Sequence, residues 1–276
     1  MTVPAPTVTA PTVTKPRLAT RIGIVPVRLG SSRLPGKALL EESGQPLFVH
    51  TVRAAREASL LDELVVASDS EEVLASCEQH GIRGLRTSDA PRSGSERCAE
   101  ALAQLPDAKI VIDVQGDWPE VDGEDLDRLV RSLDSGAAGI ATLCCPLDHK
   151  GDFYDPHVVK VVRASNGQAL YFSRAPIPGC KSPEEDAQGW TQARRHVGIY
   201  GFRRELLEGL QGQPSSSLEE REELEQLSWL HAGHKILVLD AAGRPRGIET
   251  RSDYDAFVRR IAAADSAKRN EGTERA

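Results

Sequence analysis

Short runs of β-branched residues alternate with longer helical patterns through the first half of the chain, and this rhythm restricts the fold more tightly than any other feature. Ile22–Val27, Leu64–Ala67 and Ile110–Val114 read as buried strands, being brief, continuous and apolar. Between them, Pro46 opens a helix that runs through Leu47, Arg53 and Arg56. Further helices are expected over Ser70–His80, ended by Gly81, over Ser95–Leu105 and over Asp122–Leu133. Strands joined by helices pack as right-handed crossovers, which sets the strands parallel and covers the sheet on both faces. The expected fold class is α/β, a doubly wound, mostly parallel sheet.

From Gly139 the rhythm changes. Gly139–Cys145, Val158–Arg163, Ala169–Ser173 and His196–Phe202 are strand-like with few helices among them, so part of the sheet is expected to be mixed. Helices near Arg204–Gln211 and Leu218–His231 follow, then the strand Ile236–Leu239 and a helix from Ser252 to about Ala263. This divides the chain into a nucleotide-binding part over 21–145, a smaller α+β lobe over 146–232, and a strand and helix over 233–264 that return to the main domain. Residues 1–20 hold two copies of Ala-Pro-Thr-Val-Thr and read as a disordered tail, and 265–276 as a flexible one.

Charge and cysteine usage narrow the function. With 34 Lys and Arg against 41 Asp and Glu, the net charge of −7 argues against a nucleic-acid partner, which needs clustered excess base. No apolar run is long enough to span a membrane and the N-terminus lacks a signal-peptide pattern, so a cytoplasmic protein is expected. Five cysteines without Cys-x-x-Cys spacing read as reduced thiols.

Two segments carry the chemistry. After the first strand, Val27–Lys37 presents Arg28, Arg33 and Lys37 with Gly30, Ser31, Ser32 and Gly36, a set of cations, hydroxyls and approachable backbone that suits a triphosphate. It is neither a Walker loop nor a dinucleotide fingerprint, and a solvated basic turn would show the same residues. The strand Ile110–Val114 then ends at Gln115-Gly116-Asp117, which places a carboxylate and an amide at the edge of the same crevice. Asp117 there suits a divalent cation held against phosphates, although Gly-Asp also makes an ordinary turn.

With Ser93-Gly94-Ser95-Glu96-Arg97, Tyr171–Pro178, Arg195–Phe202 and Leu224–Leu227, these segments form six ordered motifs, and over Arg21 to about Ala263 the chain resembles the CMP-Kdo synthetases. The resemblance implies a nucleotide-diphospho-sugar transferase type of fold, Mg²⁺ as cofactor and a homodimer formed through the smaller lobe. It implies that Arg28, Ser31, Ser32, Arg33 and Lys37 bind the CTP phosphates, that Ser93, Gly94, Ser95 and Arg97 lie beside cytosine and ribose, and that Gln115 lines the base or acceptor. Asp117 would be a metal ligand, and Arg174, His196, Tyr200, Glu225 and Gln226 would form the acceptor pocket, with Arg174, His196 and Tyr200 as its donors.

Two positions depart from the family pattern. Trp118 replaces the Glu of Gly-Asp-Glu-Pro, and Glu249 stands where the family has its second metal-binding aspartate. An indole at the acceptor mouth leaves less room for an eight-carbon sugar. The expectation is therefore a cytidylyltransferase acting on CTP and a small acidic acceptor, a phosphonate such as phosphonoformate of antibiotic biosynthesis, with release of pyrophosphate. The alternatives are Kdo as acceptor and, from another class, a catalytically silent CTP-binding paralogue.

Overall fold

β1 (Arg21–Val27) buries six of its seven residues, and a strand covered on both faces belongs at the centre of a sheet. The computed structural model describes residues 20–31, 33–181 and 188–274. Residues 1–19, Ser32, 182–187 and the last two residues lie outside them.

After β1 come α1 (Leu47–Ala55), β2 (Glu63–Ser68), α2 (Glu71–Gln79), β3 (Arg83–Arg86), α3 (Gly94–Ala101), β4 (Ile110–Asp113), α4 (Gly123–Asp134) and β5 (Ile140–Pro146). The second half adds α5 (Lys150–Tyr154), β6 (Lys160–Arg163), β7 (Ala169–Ser173), β8 (Arg194–Arg203), α6 (Arg204–Leu210), α7 (Ser217–Glu222), α8 (Gln226–His231), β9 (Ile236–Asp240) and α9 (Arg251–Glu274). Nine strands join one sheet in the order β3-β2-β1-β4-β8-β5-β9, with β6 pairing β7 and β8. β1 pairs β2 and β4 in parallel, β2 pairs β3 in parallel, and β5 pairs β9 in parallel. β8 runs antiparallel between β4 and β5, so the sheet is mixed at the point where the sequence rhythm changes. The α/β class and mostly parallel sheet expected from the sequence are what the structure shows.

Alternation along the strands divides the core. Ile22, Ile24, Val65, Ala67 and Val111 face one apolar cluster under α3, α6 and α8. Val25, Val27, Val66, Ile110 and Ile112 face the other, under α1, α2 and α4. Because β1 and β4 are parallel neighbours, their following loops emerge at the same edge, and the Val114 N–H still donates to the Ile24 carbonyl at 2.9 Å. The phosphate-type loop and the Gln-Gly-Asp turn are thereby neighbours.

Several elements differ from the sequence expectation: α5 is an additional short helix, and α9 runs on to Glu274 instead of ending near Ala263, so it takes in most of the tail expected over 265–276. β3 is an additional edge strand, with Leu85 its one buried position, too short and basic to show an apolar run. The helix expected over Ser95–Leu105 begins at Gly94, with the Ser93 hydroxyl capping the Glu96 N–H, and tightens to a 3₁₀ turn at Leu102–Gln104. The helix expected over Leu218–His231 is broken: Glu223 takes a left-handed φ of 52°, which separates α7 from α8.

Gly123 opens α4 at a close approach to the end of α1. A Cβ there would lie 2.6 Å from the carbonyl carbon of Glu57 and 2.7 Å from the nitrogen of Ala58, both backbone atoms that cannot rotate away. Gly123→Ala should therefore destabilise the protein by about 1–3 kcal/mol through overpacking. Urea unfolding measures this, and a wild-type midpoint would contradict the packing described.

Candidate active site

The crevice consists of two adjoining cavities. The first, of about 370 Å³, is lined by Arg28, Gly30, Ser31, Arg33, Lys37, Gln115, Gly116 and Asp117. The second, of about 630 Å³, shares Arg28 and Gln115 with it and extends over Ser93, Gly94, Arg174, His196, Tyr200, Glu225, Gln226 and Glu249. Residues drawn from almost the whole chain therefore meet in one place.

Local geometry explains the first cavity. Gly36 adopts a left-handed φ of 66° and its N–H returns to the Leu29 carbonyl at 3.2 Å, closing the loop so that Lys37 starts a 3₁₀ turn. A Cβ at Gly116 would lie 3.0 Å from Val27 Cγ2 and 3.3 Å from the Pro26 carbonyl oxygen, so glycine permits the turn to press against the end of β1. The Lys37 ammonium pairs with the Asp117 carboxylate and donates to the Ile248 carbonyl at 2.8 Å. Arg33 pairs with Glu249 and lies 3.3 Å from His157 Nδ1, while Arg28 is exposed beside the Arg92 carbonyl.

Asp117 and Glu249 belong to this charge cluster. Burial raises the Glu249 carboxyl above its usual range, Arg33 and Lys37 oppose that shift, and Asp117 adds to it, which places the two carboxylates within each other's field. Among the described residues no three His, Cys, Asp or Glu side chains converge as a complete metal cage. Two carboxylates beside a phosphate-type loop fit Mg²⁺, which takes one or two protein carboxylates together with substrate oxygens.

Gln115 is tightly held. Its Nε2 donates to Asp113 Oδ1 at 2.7 Å, and a Cβ at Gly94 would fall 2.2 Å from that nitrogen, so the amide lies flat against the Gly94 backbone. Asp113 is fully buried, and burial followed by the nearby Glu225 carboxylate pushes its carboxyl well above the usual range. Burial likewise raises Glu225, opposed by the Ser93 and Ser95 hydroxyls; Ser95 Oγ donates to Glu225 Oε2 at 2.6 Å. Arg97 is not brought to the crevice. Its guanidinium is buried against Thr87, the Ser88 carbonyl at 3.1 Å and Asp69 at 3.0 Å.

In the second cavity the expected donors take different roles. Burial lowers the His196 imidazole to about 3, so the ring is neutral. The single Thr142 hydroxyl proton is directed to the backbone carbonyls of Ile199 at 2.8 Å and Val197 at 3.1 Å. The 3.0 Å contact between His196 Nε2 and Thr142 Oγ1 is therefore donated by the ring, which leaves Nδ1 as an acceptor. Arg174 spends donors on the carbonyls of Glu222 at 2.6 Å, Pro156 at 2.9 Å and Glu223 at 3.3 Å. Tyr200 Oη and Gln226 Nε2, both buried, have no partner among the described residues. Trp118 lies against backbone: Cβ atoms at Gly247 and Gly198 would sit 3.1 and 3.7 Å from its ring.

Sequence reasoning missed the supports behind this cavity. Lys160 is fully buried, and its ammonium donates to the carbonyls of Asp155 at 2.9 Å, Val158 at 2.6 Å and Arg174 at 2.6 Å. Glu222 accepts from Ser173 Oγ at 2.7 Å and from the Arg174 N–H at 2.8 Å. A lone Lys inside Val-Val-Lys-Val-Val was the available signal for the first; Glu222 is lost in an acid-rich run.

The neutral His196 generates a prediction about acid stability. Its folded value of about 3 lies below the ordinary 6.5, so on acidification the unfolded chain takes up a proton that the folded one refuses, and stability falls between those values. One proton corresponds to about 1.4 kcal/mol per pH unit. Urea unfolding of His196→Gln between pH 6.5 and 4 should show a slope shallower than wild type by about that amount; equal slopes would mean the ring is protonated in the fold.

Known proteins are similar to this chain in sequence and fold. The sequence model of the family described as Cytidylyltransferase covers residues 22–236. The 3-deoxy-manno-octulosonate cytidylyltransferase of Anaeromyxobacter sp. (strain Fw109-5) is 41% identical over 241 residues, covering 87% of this chain and 96% of that protein. Its namesake from Nitrosococcus oceani is 38% identical over 257 residues, covering 90% and 98%. Among solved structures, a CMP:2-keto-3-deoxy-manno-octonic acid synthetase complexed with CTP superposes with a TM-score of 0.81 at 32% identity, covering 89% of this chain and all of that one. A cytidylyltransferase from Leptospira borgpetersenii, at 17% identity and a TM-score of 0.54 over 88% and 86% of the two chains, shares the fold. By sequence and by fold, the chain belongs to the CMP-Kdo synthetase family of cytidylyltransferases.

Proposed function

We propose that the protein transfers CMP from CTP to a sugar acid of the 3-deoxy-octulosonate class, releasing pyrophosphate. The observation that carries this reading is the mixed polarity of the second cavity. Neutral His196 stands in its wall with an acceptor at Nδ1, beside Tyr200 and Gln226, whose Oη and Nε2 donors are buried and have no partner among the described residues. A polyhydroxylated acid supplies both complements, since its hydroxyls donate and accept and its carboxylate accepts. The names of the relatives support the same acceptor. This replaces the small phosphonate first expected.

The chemistry would be positioning and charge stabilisation with no covalent protein intermediate. Arg28, Ser31, Arg33 and Lys37 would bind the triphosphate through its oxygens, and Gln115, fixed by Asp113 and Gly94, would face the base or the acceptor. The acceptor hydroxyl would reach the α-phosphorus across the boundary shared by the two cavities, in line with the departing pyrophosphate. Asp117 and Glu249 would hold Mg²⁺, which supplies Lewis-acid stabilisation of phosphate charge.

One observation favours a second reading. Trp118, expected to line the acceptor pocket, lines neither cavity, but it lies behind Gly198, a residue of the second, so the indole backs one wall there and a smaller acid such as phosphonoformate would need less room. Side-by-side assays of CMP transfer to Kdo and to phosphonoformate, read by pyrophosphate release, separate the two. Faster transfer to Kdo supports the main reading, and transfer to phosphonoformate alone overturns it. CTP binding without release for any acid would identify a silent paralogue. Lys37→Ala should lower turnover by about 10²–10³-fold, the usual loss for one charge-stabilising donor; near-normal turnover would remove the loop from the mechanism.

A further inference from the structure

We infer that Trp118 is a positioning residue for the Asp117–Glu249 pair, its indole being the surface on which the loop carrying Glu249 is seated. The inference rests on reading that pair as the metal site.

Residues 241–250 form no regular element, so their path is set by what they touch. Three contacts hold the end of this loop to the turn after β4 and to Lys37 of the loop after β1. The Ile248 N–H donates to the Asp117 carbonyl at 2.8 Å, and the Ile248 carbonyl accepts from Lys37 Nζ at 2.8 Å. The third is the indole. A Cβ at Gly247 would lie 3.1 Å from Trp118 Cε2 and 3.3 Å from both Cζ2 and Nε1, so the bare glycine backbone lies against the ring. The corresponding distances at Gly198 are 3.7 and 3.9 Å, ordinary contact, so the tighter fit is to the loop and the looser one to the acceptor cavity. The ring is also anchored, being partly buried against the core that includes Val121 and Val197.

Trp118 immediately follows Asp117, and Gly247 stands two residues before Glu249. The two carboxylates are therefore joined by one short backbone hydrogen bond and one ring-to-glycine contact. Glu249 has a longer side chain than aspartate and more rotamers to lose on binding a cation, which makes a fixed backbone at 247–249 more important for affinity. Without the ring that hydrogen bond remains, as do the Glu249 N–H bond to Asp253 at 3.2 Å and the buried Ile248 side chain, but Gly247 loses its wall and the backbone two residues before Glu249 is freer to shift.

The test is Mn²⁺ affinity, read by electron paramagnetic resonance on the CTP complex without acceptor, for wild type, Trp118→Phe, Trp118→Ala, Gly247→Ala and Glu249→Ala. CTP affinity without metal serves as the control. Trp118→Ala and Gly247→Ala should each weaken Mn²⁺ binding tenfold or more, with CTP affinity within twofold, because one removes the wall and the other pushes the loop from it. Trp118→Phe, which keeps a ring, should recover affinity to within threefold of wild type. Loss of Mn²⁺ affinity in Glu249→Ala but not in folded Trp118→Ala would overturn the inference. If Trp118→Ala does not fold, wild-type affinity in Gly247→Ala overturns it equally. Wild-type affinity in Glu249→Ala would instead remove the metal-site reading and the inference with it. A change in acceptor KM alone in Trp118→Ala would make the indole a wall of the acceptor cavity and also contradict the proposal.

Discussion

The Lys37 ammonium holds the site together. It joins Asp117, 80 residues away, to the Ile248 carbonyl, 211 residues away, and so gathers the loops after β1 and β4 and the approach to α9 around one charge. Arg33 and Glu249 repeat the arrangement beside it. A half-buried ion pair gains little net stability once desolvation is counted, but breaking one exposes an uncompensated charge. The cluster is thus better understood as a specification of geometry than as a source of stability. The same four groups that fix the loops are those whose chemistry suits a triphosphate and its cation.

The second cavity is built on a different principle, that of burying polar groups with defined directions. Lys160 satisfies three carbonyls from the two walls that carry His157, Val159 and Arg174. Glu222 closes the end of β7, and the left-handed Glu223 turns the chain so that Glu225 and Gln226 enter the cavity instead of continuing a solvated helix face. Among the described residues, the buried polar atoms of this cavity left without a partner include Tyr200 Oη and Gln226 Nε2, with His196 Nδ1 as an acceptor beside them. Few and fixed polar directions are what specificity for a polar substrate requires.

How much of this was legible in the sequence depended on how locally the information is stored. The strands around β1 and the Val27–Lys37 loop were readable because periodicity and chemistry sit in contiguous residues. Neither the neutral state of His196 nor its tautomer was, since the first follows from burial in the folded sheet and the second from Thr142, 54 residues away, spending its only proton on β8. Arg97 shows the reverse failure: a motif placed it beside the nucleotide, but Asp69 and Thr87 draw its guanidinium into the interior. Trp118 was visible as a substitution, and only the bare backbone of Gly247 showed what the ring packs against.

The central claim is that the triphosphate is bound where the three loops meet at Lys37. Hydrogen exchange with CTP and Mg²⁺, without acceptor, tests it most directly. The account predicts slowed exchange of backbone amides over 28–37, 115–118 and 247–250 together, with β6 and β7 unchanged. Protection confined to the β6–β7 hairpin, or absent from 247–250, would contradict it.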